Sequence, residues 1–326
     1  MKVLVTSKSF GRHAPDAIET LEAHGIAVVW GSKPSMSAAE IAAEVADADA
    51  LIVGNETVDA AVFASASRLR LVHMNGTGLD AIDVAAATAR GVLVANAPGA
   101  NRNAVAELTV ALMLVSARAI DRHIEILKSG RWERSAGHEI SGKIVGVLGL
   151  GNIGKRVIEL LSGFGVRVVA FDVQPDRTWA ARFAVELSAS AEDVFAQADF
   201  LVLALPLNAQ TRGLVDAQHL ALMKRSAFLI NTARGGLIDE AALCAAVRDQ
   251  QIAGAAIDVF DPEPLPANSP LRDLGITLTP HLAATSVETA AKVSRIVARN
   301  VIDVLIHGRT ACAVNAAQVA PRSAGA

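Results

Sequence analysis

Short apolar, β-branched runs alternate along the chain with longer stretches whose apolar residues recur at helical spacing. Val3–Thr6 reads as a strand and Asp16–His24 as a helix. Ile26–Trp30, Ala50–Val53, Leu69–Met74 and Val92–Val94 read as further strands, with a helix over Ala38–Ala48. Strands separated by helices of this length pair in parallel, because a parallel crossover needs about a dozen or more residues. Asn101–Ile120 differs. Leu108, Ala111, Leu112 and Val115 recur at i, i+3, i+4 and i+7, which predicts a long, mostly buried helix. A polar arm, Asp121–Ser141, follows. The strand rhythm then restarts with Ile144–Leu148, Val166–Phe171, Phe200–Leu205, Ala227–Asn231, Ala253–Ile257 and Thr277–Leu278. Helices fall between them, notably Ile153–Gly163 and Glu240–Asp249. The last helix runs from about Val287 to Ile306, and the small, polar tail Asn315–Ala326 is expected to fray. There is no tandem repeat and no low-complexity linker.

The 326 residues suggest about two domains, at roughly 100–200 residues each. Apolar residues make up 52% and charged residues 19%, so the chain forms cores. With aromatics at 4% and no tyrosine, those cores are aliphatic. Lys and Arg number 30 against 33 Asp and Glu, a net charge of −3 that gives no general attraction to nucleic acid or to an anionic membrane. Cys244 and Cys312 form no CxxC, so neither a metal site nor a disulfide scaffold is expected, which fits a reducing cytoplasm. The opening MKVLVTSKSF lacks the apolar run of about 7–15 residues that a signal peptide needs. Leu108–Ala117 is far shorter than the ~20 residues of a membrane span. A cytoplasmic protein with neither nucleic-acid nor membrane partners is expected.

The two halves share a rhythm but not a chemistry. The first βα turn of the N-terminal half, Ser7–Gly11, holds one glycine, whereas the strand Val145–Leu148 runs into Gly149-Leu150-Gly151-Asn152-Ile153-Gly154 and then a helix. This is GxGxxG in its required context. The first glycine permits a tight turn, the second admits a pyrophosphate, and the third lets helix and strand pack closely. The next strand ends in Asp172, 18 residues past the last glycine, near the ~20 expected for a ribose-binding acid. A carboxylate there accepts from ribose hydroxyls and repels a 2′-phosphate, which favours NAD over NADP, although Arg177 lies nearby.

Three polar features follow strands in the second half. Asn231-Thr232-Ala233-Arg234-Gly235 offers a guanidinium fork that matches a carboxylate. Ile257–Pro264 sets Glu263 between prolines that fix a rigid, extended turn. Thr279-Pro280-His281 ends a further strand, and His73, beside the glycine turn of the first half, is the nearest rival histidine. A cation for a carboxylate, a base that titrates near neutrality and a carboxylate to orient it are the parts that oxidation of a hydroxy acid needs.

At these residues the chain resembles the D-isomer-specific 2-hydroxyacid dehydrogenase family, through Gly149–Gly154, Asn231–Gly235, Ile257–Pro264, Pro280–Ala283 and the loop Gly76-Thr77-Gly78-Leu79-Asp80. The resemblance implies two Rossmann-like α/β domains with parallel sheets. One is a flavodoxin-like substrate domain (1–100 plus 284–326) and the other an NAD-binding domain (101–283). It implies that Arg234, Glu263 and His281 are catalytic, with Arg234 on the substrate carboxylate, His281 as acid/base and Glu263 as its partner. Asn75, Gly76 and Thr77 would join Arg234 and His281 in holding substrate. The cofactor, NAD(H), would be held by Gly149, Gly151, Asn152, Ile153, Gly154 and Asp172. Leu205, Pro206, Thr211, Thr232 and Ala233 would add to these, as would Arg234, Asp258, His281 and Thr109. Asn101 and the helix to Ile120 would form the interdomain hinge. A homodimer through about residues 102–141 is implied.

The departures bear on the substrate. Phosphoglycerate-type members place an arginine where this chain has Met74, and a second where it reads Val53-Gly54-Asn55-Glu56. Glu56 would repel phosphate. No ACT-type regulatory extension is expected after the last helix. The resemblance therefore points to a small unphosphorylated 2-keto acid such as glyoxylate or hydroxypyruvate. D-3-phosphoglycerate oxidation, a phosphite dehydrogenase and an NAD-sensing corepressor remain as alternatives. Formate-type members carry glutamine in place of Glu263.

Overall fold

A computed structural model describes residues 1–33 and 35–319. The chain divides into two compact units, Met1–Asn101 with the chain from Thr285 onward, and Arg102–Ala284. In chain order the first stretch contains β1 (Lys2–Val5), α1 (Pro15–Ala23), β2 (Ala27–Trp30), α2 (Ala38–Glu44), β3 (Ala50–Val53), α3 (Ala60–Ser65), β4 (Leu71–Met74), α4 (Val84–Ala89) and β5 (Leu93–Ala95). The second unit opens with α5 (Arg102–Arg118) and α6 (Ile120–Lys128). It continues through β6 (Ile144–Leu148), α7 (Asn152–Leu161), β7 (Arg167–Phe171), α8 (Arg177–Arg182), β8 (Glu186–Leu187) and α9 (Ala191–Gln197). It closes with β9 (Phe200–Leu203), α10 (Ala217–Leu222), β10 (Phe228–Asn231), α11 (Glu240–Arg248), β11 (Gly254–Ile257) and β12 (Thr277–Leu278). The last helix, α12 (Val287–Leu305), returns to the first unit.

The first unit is a five-stranded sheet in the order β2-β1-β3-β4-β5, parallel at every pairing. This is the flavodoxin-like order of doubly wound sheets. Strand residues split by parity. Val3 and Val5 face one core layer with Ala50 and Ile52, while Leu4, Leu51 and Val53 face the other. Both faces are covered, so the strands read as continuous apolar runs rather than as alternation. Val293, Val297 and Val301 of α12 fill the same layer as Val3 and Val5. Arg70 donates to the carbonyls of Val304 and Leu305, which satisfies the end of that helix.

The second unit carries seven parallel strands in the order β12-β11-β10-β9-β6-β7-β8. Counted from β6, this is the 3-2-1-4-5-6 order of dinucleotide-binding sheets with one strand added. The order reverses between β6 and β9, and ligands of open α/β sheets lie beyond the carboxyl ends of strands at such a point.

Two expectations are corrected. The arm predicted from Asp121 begins as a helix, α6, and the long helix ends before it, because Ala119 takes left-handed angles (φ 46). Ile120, Ile124 and Leu127 lie along α6 and are exposed, and only Ile126 of its apolar residues is buried, so most of the apolar signal there is not spent on a core. The tail does not fray from its start. Asn315 is buried, accepts from the Val94 amide at 2.9 Å, and donates to Val92 O and Thr88 Oγ1. Residues 320–326 of that tail lie outside the described residues. No single helix among the described residues is long and apolar enough to cross a membrane.

Candidate active site

The glycine loop follows β6. Gly149 has φ +96, and a Cβ there would sit 2.5 Å from the Ala204 carbonyl oxygen. A Cβ on Gly154 would fall 2.0 Å from the Gly149 oxygen. These two glycines hold the turn against β9 and the helix against the turn. Gly151 is different: nothing lies within 4 Å of the place its Cβ would take, and it caps α7 with no side chain on the first amides. An open cradle at the start of a ten-residue helix, with N–H groups to offer, fits the pyrophosphate of a dinucleotide. Asn152 and Ile153 begin that helix, and Asn152 is exposed.

Asp172, at the end of β7, accepts from the Leu150 amide at 2.7 Å through one oxygen and from the Gln174 amide at 2.8 Å through the other. The acid is thus tied to the glycine loop and remains half-buried, with lone pairs left for hydroxyl donors. β9 ends at Leu203, two residues short of the predicted Leu205, so Leu205 and Pro206 belong to a loop. The Thr211 hydroxyl donates to Pro206 O at 2.6 Å and closes that loop.

β10 delivers the arginine turn. Asn231, fully buried at the strand's end, holds it from both sides: its Oδ1 accepts from the Ala233 amide at 3.0 Å and its Nδ2 donates to Arg234 O at 2.9 Å. Thr232 and Thr109 meet through their hydroxyls at 2.7 Å. Because Thr109 donates to Val105 O within α5, Thr232 is the donor to Thr109. Both are buried, so each hydroxyl serves first to join strand and helix.

The residues expected as acid/base and partner, His281 and Glu263, come from two loops. Nδ1 of His281 lies 2.7 Å from Oε2 of Glu263, and Oε1 of the same carboxylate accepts from the Phe260 amide at 2.9 Å. The turn around Glu263 is bent rather than extended, with cis bonds at Asp261–Pro262 and Glu263–Pro264. With Nδ1–H donated to the carboxylate, Nε2 is the nitrogen left for a substrate.

Asp258 was expected among the cofactor contacts. Its side chain is fully buried and organises the histidine loop. Oδ1 accepts from Thr279 Oγ1 and from the Leu282 amide, and Oδ2 accepts from the Ala283 amide. Thr279 and the Phe260 amide were not singled out in the sequence. A hydroxyl next to Pro280-His281 was the only written trace of the first, and a main-chain donor leaves none.

The substrate loop expected at Asn75–Thr77 belongs to the first unit. Asn75 Nδ2 donates to Ser7 Oγ (3.0 Å) and Ser9 Oγ (2.9 Å). Gly76 O accepts from the Ala97 amide, and the Thr77 hydroxyl accepts from Asn101 Nδ2. His73 is fully buried, with Nδ1–H donating to Met74 O at 2.7 Å and Nε2 accepting from Asn300 at 2.9 Å. Burial without a counter-charge lowers its pKa to about 4. It is a satisfied core histidine.

A parallel sheet of this order, with a glycine cradle at its switch point and a carboxylate at the end of the next strand, defines a dinucleotide-binding domain. Residues 110–283 match the family of the D-isomer specific 2-hydroxyacid dehydrogenase, NAD binding domain. The chain belongs to this D-isomer specific 2-hydroxyacid dehydrogenase family, as its motifs had indicated. It is 42% identical over 292 residues to a D-3-phosphoglycerate dehydrogenase of Mycobacterium bovis, covering 88% of this chain and 54% of that one. It is 35% identical over 276 residues to a glyoxylate reductase of Thermofilum pendens, covering 82% and 81%. The crystal structure of the TT0316 protein of Thermus thermophilus superposes with a TM-score of 0.88 at 32% identity, over 96% of this chain and 100% of that one. This chain spans about half the length of the phosphoglycerate dehydrogenases it matches.

Proposed function

We propose that this chain is an NAD(H)-dependent oxidoreductase that interconverts a small, unphosphorylated D-2-hydroxy acid and its 2-keto acid. The observation that carries the proposal is the 2.7 Å contact between His281 Nδ1 and Glu263 Oε2, beside a sheet with a dinucleotide loop. Glu263 holds the ring so that Nε2 presents the proton in ketone reduction and takes the hydroxyl proton in oxidation. Arg234, whose Nη1 donates to Ala233 O at 2.7 Å, would pair with the substrate carboxylate from a turn that Asn231 holds from both sides. NAD(H), held by the glycine loop and Asp172, would supply a hydride to the keto carbon in reduction or take one from the carbinol carbon in oxidation. Asp172 favours NAD over NADP by charge.

The absence of phosphate from the substrate rests on Met74, buried at the end of β4, and on Glu56, whose Oε2 accepts from the Gly54 amide at 2.6 Å at the end of β3. A second reading, D-3-phosphoglycerate oxidation, is favoured by the name of the Mycobacterium bovis relative. A panel of 2-keto acids, assayed with NADH and repeated with NADPH, separates the two. Glyoxylate or hydroxypyruvate should give the highest kcat/KM. If 3-phosphohydroxypyruvate leads instead, the second reading replaces the first.

The same proposal extends to assembly. Ile120, Ile124 and Leu127 form an exposed apolar stripe on α6, and Trp132 beyond it is 82% exposed. We read residues 102–141 as the face on which a second copy packs. Sedimentation should give twice the chain mass, and a Leu127→Glu, Trp132→Glu double variant should sediment as a monomer.

A further inference from the structure

Gly235 opens a single turn of 3₁₀ helix, Gly235–Leu237, directly after Arg234. Its backbone angles do not lie in the left-handed region, so conformation alone does not demand glycine there. Space does. A Cβ on Gly235 would fall 2.0 Å from the carbonyl carbon of Phe260, 2.2 Å from its oxygen and 2.5 Å from its Cα. All three atoms are main chain and cannot swing aside as a side-chain end can. The amide of that same Phe260 donates to Glu263 Oε1 at 2.9 Å, and Glu263 Oε2 meets His281 at 2.7 Å. Gly236 offers the contrast. A Cβ there would meet Arg212 Nη1, Asp261 Oδ2 and Leu207 Cδ2, each at 3.0 Å and each a side-chain end.

We propose that the main chain of Phe260, seated directly on Gly235, is the positioning element of the Glu263–His281 pair. The turn that carries Arg234 and the acid/base pair are thereby set as one body. The proposal rests on the dehydrogenase role of that pair. Gly235 touches no reacting atom. It acts through Phe260, and Phe260 acts through Glu263. By fixing Oε1, the Phe260 amide leaves Oε2 as the oxygen that His281 meets. Lifting Phe260 off its seat frees the carboxylate to rotate away.

The test uses the full chain with Gly235→Ala, reading kcat across pH and NADH affinity separately. Misplacing a catalytic group by about 1 Å is enough to lower kcat by roughly tenfold or more. That loss is expected together with a shift of the pH limb set by His281, while the Kd for NADH stays within about twofold. In a Glu263→Gln background the added Gly235→Ala should change kcat by less than about twofold, because both act on one carboxylate. Gly236→Ala should keep the wild-type pH profile. An unshifted profile in Gly235→Ala, or a loss that adds in full to that of Glu263→Gln, overturns the proposal. If Gly235→Ala does not fold, the wild-type Phe260 amide resonance decides. It should titrate with His281 and lose that titration in Glu263→Gln, and an amide indifferent to pH overturns the proposal. Absence of turnover on every 2-keto acid would instead sink the dehydrogenase reading, and the amide titration would still report on the linkage.

Discussion

The backbone amide of His281 donates to the main-chain oxygen of Asp258 at 2.7 Å, and His281 holds left-handed angles (φ 50) that side-chain-bearing residues seldom adopt. The next two amides and the Thr279 hydroxyl donate to the Asp258 carboxylate, so one buried acid shapes the loop that presents the imidazole. Asp258→Ala would strand those donors in the interior. A buried donor without a partner costs roughly 1–3 kcal/mol, so a stability loss of at least that size is expected in denaturant unfolding. The kcat should fall in folded protein as the loop relaxes. Wild-type stability and turnover together would show that the loop holds its shape without the acid.

On the proposed mechanism, His281→Ala removes the nitrogen that would move the proton. General acid–base catalysis is worth roughly 10²–10⁴, and kcat should drop by that factor while NADH still binds. Glu263→Gln should have a smaller effect on kcat, since the amide oxygen can still accept from Nδ1 and orient the ring. Turnover of His281→Ala near that of wild type would remove His281 from the role.

Asp172→Ala should narrow the preference for NADH over NADPH. Removing one carboxylate from the place of a 2′-phosphate relieves like-charge repulsion, and about 1.4 kcal/mol of relief is tenfold in the ratio. Because Asp172 also accepts from the Leu150 amide, NADH affinity should weaken as well. The ratio of kcat/KM for the two cofactors is the measurement, and an unchanged ratio would count against the ribose contact.

His73 makes the first unit sensitive to acid. Its folded pKa, about 4, lies below the unfolded value of 6.5, so between those values the unfolded chain binds the extra proton. Stability is therefore full above about pH 6.5 and is lost as the pH falls toward 4, by roughly 3 kcal/mol in all. His73→Gln should flatten this part of the stability–pH curve in chemical denaturation between pH 4 and 7. A curve of unchanged slope would show that other groups set the acid limit.

Much of the frame was legible because both sheets are buried on two faces. Ala50–Val53 and Ile144–Leu148 read as unbroken apolar runs, and the structure ends both strands at the predicted residues. The glycine loop was legible because the steric need is local, and Gly149 and Gly154 answer contacts within a turn and a strand. Long-range polar contacts were not. Nothing in the sequence near Asp258 says that its oxygens meet amides more than twenty residues later, and nothing near Asn315 says that it pairs with Val94. α6 escaped for another reason: Ile120, Ile124 and Leu127 have helical spacing but face outward while only Ile126 is buried, and spacing alone does not tell a core face from an exposed one.

The placement of α12 has a consequence for synthesis. Val293, Val297 and Val301 complete the core layer begun by Val3 and Val5, so the unit that leaves the ribosome first lacks one wall until the last helix emerges. Arg102–Ala284 is contiguous and can close its sheet while that wall is still being made. Domains that fold as units during translation would here mature in an order opposite to that of their first residues. A nascent chain stalled before α12 would carry a finished nucleotide-binding fold beside an aliphatic sheet face that α1 alone covers in part, the stretch of its life in which a chaperone has the most to cover.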